Sequence, residues 1–77
     1  MEKTFYWVHA SDAQGSGYMH FRTYQEAERH AGHTSANINE AAFDTETQAE
    51  NIEWFEAVIS RGGRCTDRES QEWRAPK

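Results

Sequence analysis

The sequence predicts a small α+β domain. An antiparallel sheet, made of an N-terminal hairpin and a third strand, packs against two helices in the order β-β-α-β-α, with an uncommitted C-terminal segment. Three observations predict it. An aromatic, β-branched run opens the chain and is followed by turn chemistry and a second short run. A motif repeated at a spacing of twenty-two residues marks two strand-to-helix junctions. One later segment carries apolar residues at helical spacing.

The first strand is read from Thr4 to Ala10 (TFYWVHA). Phe5, Trp7 and His9 alternate with Tyr6, Val8 and Ala10, so both faces are largely apolar. Such a strand is central, or covered on both sides. Ser11 to Gly17 (SDAQGSG) is turn chemistry. Tyr18 to Arg22 is the second strand of the hairpin, with Met19 and Phe21 on one face.

Phe21-Arg22-Thr23-Tyr24-Gln25-Glu26-Ala27-Glu28 matches Phe43-Asp44-Thr45-Glu46-Thr47-Gln48-Ala49-Glu50. The shared pattern is Phe-x-Thr-x-x-(Glu/Gln)-Ala-Glu. Its physics is that of a junction. The Phe ends a strand and points inward, and the Thr caps a helix. The Glu or Gln three residues on completes a capping box, and the Ala faces the sheet. Shared local chemistry explains the match better than duplication does.

The first helix is predicted from Tyr24 to Ala31, with Gly32 as its C-terminal stop and Tyr24, Ala27 and Ala31 on its inner face. Ile38, Ala42 and Phe43 mark a third strand between Thr34 and Phe43. The second helix is predicted from Glu46 to Arg61. Ala49, Ile52, Phe55, Val58 and Ile59 form its apolar side, and Gly62-Gly63 stops it. Residues 64–77 leave three forms open: an edge strand, a short helix starting near Asp67, or a flexible tail anchored by Cys65 and Trp73.

With 77 residues the chain makes one domain, 1–77, of modest core. There is no leucine, against three Trp, three Tyr and four Phe, so the core must be aromatic. Cys65 is the sole cysteine, which excludes an intrachain disulfide. No run is apolar enough to span a membrane and no leader is visible, so a cytoplasmic protein is expected.

The net charge of −5 is unevenly placed. Residues 40–56 carry Glu40, Asp44, Glu46, Glu50, Glu53 and Glu56 with no base, whereas residues 57–77 are net +2. Glu46, Glu50 and Glu53 are expected opposite the apolar side of the second helix, with Trp54 beside them. Two readings stand. The acids form a solvated helix face favoured by the helix dipole. Alternatively, with Asp44 and Glu40, they form a docking stripe for a basic protein surface, with Trp54 as an anchor.

Catalytic and metal signatures are weak. His30-x-x-His33 with Cys65 lacks a second ligand pair, so no metal and no cofactor is expected. His9 and His20 lie on adjacent strands and are candidates to pair. Cys65 with a histidine would be a nucleophile dyad without an orienting group. No catalytic residue is assigned and the chain is read as a non-enzyme. Phe5, Trp7, Tyr18 and Phe21 invite comparison with base-stacking sheets, with Arg61, Arg64, Arg68, Arg74 and Lys77 as a basic surround. A nucleic-acid-binding or regulatory module is therefore the alternative. A homodimer that buries the aromatic surplus is a third option.

Ala42-Phe43-Asp44-Thr45 followed by Glu53-Trp54-Phe55 resembles the strand-into-helix segment of a small anti-CRISPR protein that blocks a type I-F surveillance complex. The match covers under a quarter of the chain and transfers no functional residue. The resemblance implies a phage-encoded, stoichiometric inhibitor in the host cytoplasm. Its target would be a basic, nucleic-acid-handling surface such as that of a CRISPR surveillance complex.

Overall fold

The computed structural model describes residues 1–12, 15–31 and 38–71. They form β1 (Glu2–Asp12), β2 (Gly15–Phe21), α1 (Tyr24–Ala31), β3 (Asn39–Asp44), α2 (Ala49–Ser60) and β4 (Arg64–Thr66), followed by a 3-10 turn at Glu69–Gln71. The fold is α+β, as expected, with one further strand. β4 adds to the sheet, whose order is β3-β1-β2-β4 with every neighbouring pair antiparallel. Of the forms open for the C-terminal segment, the edge strand and a short helical turn both occur. Trp73 lies outside the described residues, as do Gly32 and His33.

β1 is central and covered on both faces, as its doubly apolar alternation requires. Phe5 and Trp7 face α2, while Tyr6 and Val8 face α1. The hairpin is longer than the turn chemistry suggests, because Ser11 pairs with Ser16 and Asp12 with Gly15. Ladder hydrogen bonds are made by the backbone and so do not require apolar side chains.

The core is aromatic. Phe55 of α2 is its hub, stacked on Phe5 at a centroid distance of 5.0 Å and packed against Phe43 at 5.3 Å, Trp7 at 5.5 Å and His20 at 5.2 Å. Phe5, Trp7, Phe43 and Phe55 are all buried. Ala27 lets α1 lie close on the sheet, and it and Val8 are both buried. Tyr24, expected inside, is an exposed side chain resting edge-on against Tyr6. An eight-residue helix is too short to cover that end of the sheet.

The helix α2 differs from its prediction at the N-terminus. It starts at Ala49, not Glu46, and Ala49 is exposed while Asn51 is buried. At about 100° per residue, Ala49 lies about 120° round the helix from Phe55, and Asn51 only about 40°. Docking of Phe55 sets the rotation, so Asn51 is carried inside.

The two junctions of the repeat also diverge. Thr23 caps α1: its hydroxyl oxygen accepts the Glu26 N–H at 3.2 Å. At the second junction Asp44 displaces Thr45. Its Oδ1 accepts the N–H groups of Glu46 at 2.8 Å and Thr47 at 3.0 Å, closing a turn before the helix. Gln48 then reaches back to Asp44, whose N–H donates to Gln48 Oε1 at 3.0 Å. A carboxylate one residue earlier is the stronger acceptor. An unanticipated capping box occurs at Thr66 and Glu69. The Glu69 N–H donates to Thr66 Oγ1 at 3.1 Å, and the Thr66 N–H to Glu69 Oε1 at 3.0 Å.

Candidate partner-binding surface

The acidic segment folds along one edge of the molecule, as β3, the following turn and the first turns of α2. Its six carboxylates divide into two kinds. Glu56 is held by Lys3 of β1 at 2.8 Å and by Arg22 beyond β2, so it staples α2 to the sheet. Hydrogen bonds from those two cations, Arg22 first, hold its carboxyl below the usual range. Asp44 is occupied by the turn, and the backbone N–H groups of Thr47 and Glu46 lower its pKa.

Glu40, Glu46, Glu50 and Glu53 are exposed, and none has an ion pair with a described residue. Glu46 and Glu50 line one shallow depression with Thr47, Gln48 and Asn51. Glu50 and Glu53 lie on the side of α2 away from Phe55, one helical turn apart. Glu46 sits in the preceding turn, so the expected helical stack of three is a helical pair plus a turn residue. Glu40 is at the same edge but points to the opposite face of the sheet, opposite Tyr6 in the register. The free carboxylates therefore wrap the β3–α2 edge.

Trp54 is half-buried and makes edge-to-face contacts with His20 at 5.5 Å and Phe55 at 5.1 Å. Its ring is mostly committed to the core border, with a remainder facing solvent beside the acids. On the basic side, Arg61 pairs with Glu69 at 3.4 Å and Arg64 donates to the Gly15 carbonyl at 3.2 Å. Arg74 and Lys77 lie outside the described residues.

His9 and His20 do not pair. The register sets His9 opposite Tyr18 and Trp7 opposite His20, and each histidine packs on an aromatic ring. Instead the fold brings His20 to Cys65, with Sγ 3.8 Å from Nδ1, both residues buried. His20 Nδ1 is also 3.3 Å from the Gly63 carbonyl, and Nε2 has no hydrogen-bond partner among the described residues. Burial lowers the imidazole pKa to about 4 and raises the thiol to about 11. Both groups are thus neutral near pH 7, the reverse of an activated thiolate–imidazolium pair.

Phe5 and Trp7 lie under α2, closed to a base that would stack on them. Among the described residues no group of three or more His, Cys, Asp or Glu could hold a metal ion, and no helix is long and apolar enough to cross a membrane. No protein-family model, curated protein or solved structure matches the chain.

Proposed function

We propose that this chain is a non-enzymatic binding protein that presents the β3–α2 edge to a basic protein surface. The observation that carries the proposal is the division among the acids. Glu56 and Asp44 have partners within the fold, whereas Glu46, Glu50 and Glu53, with Glu40 at the same edge on the other face of the sheet, are exposed and have no ion pair among the described residues. Unpaired like charges side by side repel, and a cationic surface relieves that repulsion and accelerates encounter. The best-fitting partner is a nucleic-acid-handling protein, whose cationic groove would meet carboxylates in place of phosphates. An anti-CRISPR-type inhibitor acting in a host cytoplasm is the specific form this takes.

The neutral, buried His20–Cys65 pair supports a role without covalent catalysis. The burial of Phe5 and Trp7 favours a protein partner over a nucleic acid stacked on the hairpin.

The test uses the immobilised full chain in lysate of its native host, with bound proteins identified by mass spectrometry. The expected partner is a basic nucleic-acid-binding protein, displaced by its own nucleic acid. It should be lost when Glu46, Glu50 and Glu53 are together replaced by Lys. Binding that survives the triple reversal at physiological salt, with the fold intact, overturns the proposal.

A further inference from the structure

We infer that the outer edge of β3, at Glu40 to Ala42, is a strand-addition site for an extended peptide segment bearing Lys or Arg. The inference rests on the acidic-edge reading above and names the way the partner is held.

The direction of each backbone group on β3 follows from its register. The Thr45 N–H donates to the Met1 carbonyl at 2.9 Å, and the pairing of Glu2 with Asp44 continues to Met1 opposite Thr45. In an antiparallel ladder, hydrogen-bonded pairs alternate with non-bonded pairs. Phe43, Ala41 and Asn39 therefore bond β1, while Asp44, Ala42 and Glu40 turn their N–H and C=O groups outward.

Asp44 is already closed off. Its outward N–H donates to Gln48 Oε1 and its carbonyl accepts the Gln48 N–H, both at 3.0 Å. Gln48 thus stops the open edge at one end. The outward groups of Ala42 and Glu40 have no partner among the described residues, and both residues are exposed. These two donors and two acceptors are at the spacing that a neighbouring strand matches.

Native sheet edges are commonly protected by a proline, a bulge or a charged side chain. β3 has no proline or bulge (NEAAFD), and its guard on the open stretch is the carboxylate of Glu40, which turns away neutral or acidic strands but not basic ones. The edge therefore accepts a strand and selects by charge. A guest with a basic residue opposite Glu40 gains an opposite-charge cross-strand pair, and an acidic guest is repelled. A second copy of this chain is disfavoured, because it brings the same carboxylate to the edge and a net charge of −5 against −5.

The probe is a capped heptapeptide alternating Lys with Val, with a Glu-for-Lys control, titrated into the ¹⁵N-labelled full chain. The amides of Glu40 and Ala42 should move downfield and exchange more slowly, while those of Ala41 and Phe43, already bonded to β1, should change little. The control peptide should not bind. Ala42→Pro removes an outward donor without touching the β1 ladder, and should weaken the Lys peptide about tenfold or more. Glu40→Lys, which leaves the backbone unaltered, should exchange the preference towards the acidic peptide.

Unchanged exchange at Glu40 and Ala42, or full affinity in both variants, overturns strand addition. If the native partner is lost with the Glu46/Glu50/Glu53 reversal but kept by Ala42→Pro, the acidic-edge reading stands and this inference falls. Protection of Glu40 and Ala42 that grows with protein concentration without peptide makes the occupant a second copy, and also overturns it.

Discussion

Acid should unfold this protein through His20 before its carboxylates titrate. The imidazole is stacked on Trp7 at 5.9 Å and met edge-on by Trp54 and Phe55, and its Nε2 has no hydrogen-bond partner among the described residues. A proton on that ring would place a charge among aromatics, with Arg61 as an additional unfavourable charge. The folded-state pKa of about 4 lies below the ordinary 6.5 of an unfolded chain. The unfolded state therefore takes up the proton first as pH falls. The stability contribution is full above pH 6.5 and declines between 6.5 and 4. At about 1.4 kcal/mol per unit the whole effect is roughly 3 kcal/mol, and about 2 kcal/mol is lost by pH 5. The lowered pKa values of Asp44, Glu56 and Glu69 act in the same direction, but only below the ordinary carboxylate value of 3.8 to 4.5. The interval from pH 6.5 to 5 thus isolates the histidine. Urea unfolding followed by tryptophan fluorescence should show the midpoint falling by roughly 1–2 M between pH 7.5 and 5. His20→Phe keeps an aromatic ring in the pocket and removes the titration, so its midpoint should be flat over that interval. A wild-type midpoint that does not move, or a His20→Phe slope equal to wild type, refutes the reasoning.

Two further outcomes follow from packing. Phe55→Ala empties the hub that touches Phe5, Trp7, Phe43 and His20, and should cost about 3–5 kcal/mol in chemical denaturation, a large part of the stability of so small a domain. Gly17→Ala would drive a methyl group into the Cys65 carbonyl where β2 and β4 meet. It should cost about 1–3 kcal/mol and expose Cys65, 1% accessible in the native fold, to a thiol reagent under native conditions.

Local elements were legible because their causes are local. The first helix has the predicted bounds of Tyr24 and Ala31, since Thr23 can cap it from adjacent sequence. The turn before α2 is ambiguous in sequence because two acceptors, Asp44 and Thr45, stand side by side, and the N–H groups of Glu46 and Thr47 go to Asp44. The Thr66-x-x-Glu69 capping box has an equally local signature, a hydroxyl and a carboxylate three residues apart. For the surface, the acidic segment was visible as composition. Which of its carboxylates stay free was not, because Lys3 and Arg22 reach Glu56 from 53 and 34 residues away in the chain.

By itself, then, the sequence determined the α+β class, the doubly covered first strand, the aromatic core and the acidity of residues 40–56. Each follows from side-chain type and a period of two or 3.6 residues. Only the tertiary structure decided that β4 joins the sheet, that His20 meets Cys65, that Asn51 is buried in place of Ala49, and that Glu40 and Ala42 turn their backbone groups outward at a sheet edge. Those outcomes depend on strand order, register and helix rotation. They are set where distant segments pack around Phe55, and no window of local sequence contains them.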